Sequence, residues 1–90
     1  MATIKIPQVF QLYTGGSALL TVEGATLTAV LRDLAQRYPE LATHLMNRTG
    51  KLHQYVHLFR KGEELPRVEA DQVLISQDDD LVLVPGIAGG

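Results

Sequence analysis

The sequence predicts an α+β fold, a mixed sheet with one main helix packed on one of its faces. Three observations carry this: two β-rich runs parted by a glycine turn near the start, a stretch of helical periodicity after Gly24, and further β-rich runs between His53 and Val84. At 90 residues the chain holds one modest core, since a chain this short buries only about 60–65% of the surface it exposes when unfolded.

The elements follow in order. Thr3 to Leu12 is rich in Ile, Val, Phe and Tyr, and Ile4 and Ile6 alternate against Thr3 and Lys5, the period of a half-buried strand. Pro7 removes a donor there, so a bulge or a sheet edge is expected. Thr14-Gly15-Gly16-Ser17 supplies a turn, and Ala18 to Glu23 reads as the second strand of a hairpin. Leu27, Val30, Leu31, Leu34, Ala35 and Tyr38 then lie along one helical face, with Arg32, Asp33, Gln36 and Arg37 on the other. Thr26 stands where an N-cap hydroxyl is wanted, and Pro39 ends the helix while opening a short second piece that places Leu41 and Leu45 together.

Asn47 to Lys51 reads as a loop. His53 to Arg60 alternates on two faces that both contact something, a third strand. Arg60-Lys61-Gly62-Glu63-Glu64 is a charged turn, Leu65 to Val68 is at most a short strand limited by Pro66, and Asp78-Asp79-Asp80 is a solvated turn. Leu81 to Val84 reads as a strand buried on both faces, and Pro85 ends it. The expected organisation is one domain over residues 1–85 and a tail, Gly86-Ile87-Ala88-Gly89-Gly90. A helix crossing over from the first hairpin allows the first and last strands to lie side by side in parallel, the arrangement of a β-grasp.

Composition narrows the function. A formal net charge of −2 and no dense Lys/Arg tract argue against nucleic acid as a partner. The absence of cysteine excludes disulfides, thiolate metal sites and a cysteine nucleophile. Neither a signal-like start nor a long apolar run is present, so the expectation is a cytoplasmic protein with no membrane partner. His53 and His57 would project to one face of a strand at long separation, so no metal site is assigned. Lys51, Arg60, Lys61 and Arg67 read as scattered surface charge, and no catalytic spacing or phosphate-cradling glycine loop is present.

The chemistry-bearing feature is the tail. A β-rich strand, a proline stop and five residues poor in side chains put a carboxylate on an arm reaching up to about 17 Å, slim enough for a channel in which a Cβ would collide. Asp79-Asp80-Leu81-Val82-Leu83-Val84-Pro85-Gly86-Ile87-Ala88-Gly89-Gly90 resembles the closing motif of the ThiS/MoaD-type ubiquitin-like sulfur-carrier family. Thr26-Leu27 at the helix start fits the same pattern, and Gly50-Lys51-Leu52-His53 is most similar to the cysteine-biosynthesis branch. The resemblance covers essentially the whole chain. It departs at two places: Asp79-Asp80 stands where the family has Gly-Asp, and Arg60-Lys61 where the third strand ends near an asparagine.

The resemblance implies a ubiquitin-like β-grasp that is acted on by partners and is not itself an enzyme. Gly90 would bear the reactive carboxylate, with Gly89, Ala88, Ile87 and Gly86 giving access. An E1-like adenylyltransferase would join that carboxylate to AMP using ATP and Mg, and a sulfurtransferase would convert it to a thiocarboxylate. A sulfur-accepting biosynthetic enzyme would then take the sulfur, a pyridoxal-phosphate-dependent cysteine synthase being one candidate. No cofactor would be bound by the chain itself. Phe59, Leu81 and Leu83 are candidates for an apolar patch docking on the adenylating enzyme, because a β-grasp helix covers only one sheet face. The molybdopterin synthase small subunit and a ubiquitin-like protein modifier use the same arm and stay open as alternatives.

Overall fold

In the computed structural model, which describes residues 1–66 and 68–86, four short backbone runs and one longer one build a mixed five-stranded sheet. They are β1 (Ala2–Lys5), β2 (Leu19–Val22), β3 (Val56–Arg60), β4 (Glu63–Glu64) and β5 (Asp80–Pro85), in the order β2-β1-β5-β3-β4. β1 and β5 run parallel with Ile4 opposite Leu81, as the β-grasp expectation required, and every other pairing is antiparallel. The fold is that of ubiquitin-like proteins: one sheet face is covered by helix and, among the described residues, the other is open.

The helical cover is α1 (Leu27–Arg37) followed by α2 (Pro39–Leu45). The side-chain oxygen of Thr26 accepts from the Ala29 N–H at 3.2 Å, satisfying a donor that the first turn leaves without a partner. Leu27, Val30, Leu31 and Leu34 are buried along one stripe, and Pro39 opens α2 and sets Leu41 and Leu45 into the same core. Beneath them lie Ile4, Leu20, Val22, Val56, Leu58, Leu81 and Leu83 from the sheet. Each such side chain contributes about 1.5–3 kcal/mol by leaving water.

The crossover into α1 is set by polar contacts as well as packing. Asp33 accepts from the Glu23 N–H at 2.9 Å and pairs with Arg37 at 3.1 Å, pinning the end of β2 to the helix flank. Gly24 holds a φ of +146°, and a Cβ there would lie 2.7 Å from the backbone nitrogen of Val30, so only glycine lets β2 turn this closely onto α1.

Several sequence expectations are corrected. The first strand stops at Lys5, not Leu12, and Gln8–Thr14 is a 3₁₀ helix. Pro7, with φ −67°, has no N–H to give and serves as the N-cap. The three-residue repeat then lets Phe10 and Tyr13 pack against the core while Val9 and Leu12 point outward. The β3 strand begins at Val56, because His53 to Tyr55 form the turn that enters it. β4 is Glu63–Glu64 in place of Leu65 to Val68: Lys61 and Gly62, both at positive φ, make a two-residue hairpin turn that starts pairing at once. β5 is not buried on both faces. Leu81 and Leu83 point to the helices, whereas Val82 and Val84 point to the open face.

Among the described residues no helix is long and apolar enough to cross a membrane.

Candidate functional site

β5 is the central strand of the sheet, so its last described residues lie between β1 on one side and β3 on the other. Val56 pairs with Pro85, and the Gly86 N–H donates to the carbonyl of Tyr55, extending the ladder one step past the proline. Ile87, Ala88, Gly89 and Gly90 lie outside the described residues. Gly86 is therefore the last described residue of the predicted tail, and it is half-buried.

The His57 ring and the Tyr55 carbonyl lie beside Gly86, with further side chains of the β3 entrance and the neighbouring hairpin close to them in sequence or by contact. The rings of His53 and Tyr55 are stacked, their centroids 5.4 Å apart and their planes 2° from parallel. His57, opposite Val84 on the open face, has Nδ1 2.6 Å from Glu64 Oε2. Its Nε2 faces Gly86 so closely that a Cβ at Gly86 would stand 3.2 Å from it and 3.0 Å from the Tyr55 carbonyl oxygen. Glu64 reaches His57 because the tight Lys61-Gly62 turn places β4 diagonally beside it.

The opposite end of β5 is held by charge. Asp79 accepts from the Ser76 N–H at 2.8 Å and from Arg60 Nη1 at 2.9 Å, and the same guanidinium donates to the Leu74 carbonyl at 2.8 Å. The Ser76 N–H, aided by Arg60, holds the Asp79 carboxyl below the usual carboxylate range. Asp80 accepts from the Thr3 hydroxyl at 2.7 Å, tying β5 to β1. The Asp78-Asp79-Asp80 segment is thus only partly the solvated turn expected of it. The two places where the chain departs from the family pattern meet here as the Arg60–Asp79 pair.

The docking candidates divide. Leu81 and Leu83 are 1% and 3% exposed beneath the helices, so neither offers surface to a partner; the apolar run gave no polar alternation from which to orient them. Phe59 lies half-buried on the open face, opposite Val82 in register. Val82 and Val84 are each 38% exposed there, and Lys5 and Leu19 continue the row across β1 and β2. Sequence reasoning missed the two valines as well as the His57–Glu64 pair, although a diagonal neighbour of His57 follows once the two-residue turn is recognised.

The histidines do not converge: His44 stacks on Tyr13 with centroids 4.2 Å apart, and His53 lies outside the strand that carries His57. Among the described residues no three His, Asp or Glu side chains gather where they could hold a metal.

Comparison with known proteins bears on this site. Residues 4–90 match the ThiS family, a match that includes the predicted tail. Over 90 residues the chain is 31% identical to the sulfur carrier protein CysO of Mycobacterium tuberculosis, covering 98% of this chain and 97% of that protein. The crystal structure of M. tuberculosis CysO, described as an antigen, superposes with a TM-score of 0.82 at 28% identity, over 97% of this chain and 100% of that one. A chain of the Amycolatopsis orientalis BexX/CysO complex gives 0.84 at 24% identity and covers 100% of both. SAMP1 of Haloferax volcanii gives 0.79 at 23%, over 99% of this chain and 98% of that one. The last two likenesses speak to fold alone.

Proposed function

The chain belongs to the ThiS family, and from that premise we propose that it is a sulfur carrier whose Gly90 carboxylate becomes a thiocarboxylate. The observation that carries this reading is the family match running through Gly90, together with 31% identity to a sulfur carrier over nearly the full length of both chains.

A carboxylate resists substitution because its charge is delocalised and oxide is a poor leaving group. An E1-like adenylyltransferase removes that barrier: the Gly90 carboxylate attacks the α-phosphorus of ATP, with Mg on the phosphates, and pyrophosphate leaves. The terminal sulfur of a persulfide on a sulfurtransferase then attacks the acyl carbon and AMP departs with one carboxylate oxygen, and a thiol reductant cleaves the resulting acyl disulfide, so that one oxygen has been exchanged for sulfur. The thiocarboxylate is a soft nucleophile at neutral pH without a base from this chain. Gly89 and Gly90 present it without side chains, and Gly86, Ile87 and Ala88 span the distance from the sheet. The carrier is a substrate in this scheme, and catalysis resides in its partners.

The accepting enzyme is a biosynthetic one that makes cysteine or a related thio-metabolite. The family branch around Gly50-Lys51-Leu52-His53 supports a pyridoxal-phosphate-dependent synthase as the acceptor, in which the thiocarboxylate sulfur adds to an electron-poor alkene. Docking on the adenylating enzyme uses the open face at Phe59, Val82 and Val84, which is the apolar surface that the helices leave uncovered.

Co-expression with a cognate adenylating enzyme and a sulfur donor, followed by mass spectrometry of the C-terminal peptide, tests the proposal. The expected product is heavier by the difference between sulfur and oxygen. Unmodified protein under conditions that activate an established carrier would overturn it. Incubation of the product with candidate synthases and O-acylated serine then separates a cysteinyl adduct on Gly90 from sulfur passed to a molybdopterin precursor or from isopeptide-linked lysines.

A further inference from the structure

Gly86 poses a question that backbone conformation does not answer. Its φ lies outside the positive region held by Gly15, Gly16, Gly24, Gly50 and Gly62, so its dihedral does not select glycine. Space does. A Cβ would press within 3.0 Å of the Tyr55 carbonyl and within 3.2 Å of His57 Nε2. Real Cβ atoms seldom come so near, and something would have to yield. The carbonyl is fixed because it accepts the Gly86 N–H in the β3–β5 ladder. The imidazole is fixed because Nδ1 is engaged by Glu64 at 2.6 Å, a strong contact for a nitrogen and a carboxylate oxygen. Glu64 in turn sits on β4, whose register is set by the two-residue turn at Lys61-Gly62.

We propose that His57, held by Glu64, is a positioning residue for activation: its ring and the Tyr55 carbonyl form a slot that a Cβ at Gly86 would crowd, and this slot fixes the residue from which the predicted tail departs. The inference rests on the sulfur-carrier reading and deepens it. An arm leaving the sheet at a defined angle arrives at a partner's active centre with fewer orientations to search, and reaction rates are steep in such alignment. The slot acts on delivery of Gly90, not on recognition of the folded body. It therefore bears on turnover and leaves affinity alone.

The test measures adenylation of the carrier by the activating enzyme, with carrier concentration varied. Gly86→Ala is expected to lower kcat about ten- to a hundred-fold, with KM unchanged. In the double variant Gly86→Ala/His57→Ala, removal of the ring relieves the 3.2 Å contact and restores part of the lost turnover, the 3.0 Å contact with the Tyr55 carbonyl remaining. Glu64→Gln, which still accepts from Nδ1, stays near wild type, while Glu64→Ala lowers kcat in the same sense as Gly86→Ala but less. Unfolding midpoints should coincide across the set. Wild-type turnover for Gly86→Ala, or a double variant no better than the single, overturns the proposal. If the wild-type chain is not adenylated at all, the sulfur-carrier reading fails, and the slot is then judged in the free protein. A nuclear Overhauser contact between the His57 ring and the Gly86 α-protons, lost in Glu64→Ala, supports it, and absence of that contact in the wild type overturns it.

Discussion

The inner and outer faces of β5 differ more than their sequences do. Leu81 and Leu83 are sealed under α1 and α2, while Val82, between Lys5 and Phe59, and Val84, opposite His57, each stand 38% exposed. All four are aliphatic and all are at home in a strand. What separates them is the pleat alone, which sends alternate side chains to opposite faces. The inner pair carries the stability of the fold and the outer pair carries whatever this sheet shows to a partner. A family likeness in the Leu81–Val84 run therefore says nothing by itself about which of the four residues meets another protein.

That division can be broken or sharpened by substitution. The largest effect is expected for Leu83→Ala, which removes buried methyl groups from a site with little room to collapse and should cost about 2–5 kcal/mol in urea unfolding. A loss below 1 kcal/mol would mean that the inner face is less tightly packed than its burial indicates. Next comes Asp79→Asn at the head of the strand, which keeps an acceptor for Ser76 but leaves Arg60 without its counter-charge; about 1 kcal/mol is expected, the contact being partly open to water.

The sign of the pH dependence follows from the lowered Asp79 carboxyl. Its contribution is complete above the unfolded value of about 3.9 and is lost as pH falls through the lower folded value. The difference between wild type and Asp79→Asn should accordingly shrink with acidification below about pH 4, as followed by thermal unfolding. A difference that grows in acid would put the stabilisation elsewhere. The smallest stability change belongs to Val84→Thr, expected within about 0.5 kcal/mol because the side chain is half in water. That same substitution should raise the activating enzyme's KM for the carrier. A KM unchanged in both Val82→Thr and Val84→Thr would remove the open face from the docking surface.

Much of this architecture was legible beforehand. The 3.6-residue period of Leu27, Val30, Leu31 and Leu34, the Thr26 cap and the Pro39 restart gave both helices, and the crossover they impose gave the parallel pairing of β1 with β5. What escaped lies where short runs carry no period. Val9, Phe10, Leu12 and Tyr13 are strand-favouring residues, and only packing of Phe10 and Tyr13 against the core makes them a 3₁₀ helix. Glu63 and Glu64 are poor strand formers that become one because Lys61-Gly62 brings them beside Phe59 and Arg60. β5 runs through Pro85 and Gly86 still donates to the Tyr55 carbonyl, so the proline does not end the strand as expected, and the lateral walls beside Gly86 are long-range. No local pattern announces that His57 and Glu64 converge on it.

The strand order has a kinetic consequence. β3 with β4 is a hairpin joined by Lys61 and Gly62 alone and can pair as soon as its own residues are available, while β1 and β2 are joined across residues 6–18, which include the 3₁₀ helix. β5 joins them, and the Thr3–Asp80 bond it makes spans 77 positions. Closing so long a loop is the slow, entropy-limited step in folding, so the central strand is the one expected to enter last. The residues of β5 and Gly86 thus acquire their surroundings only when that strand has entered the sheet. An unfinished chain has no slot beside Gly86, and a partner that reads that geometry distinguishes finished carriers from unfinished ones.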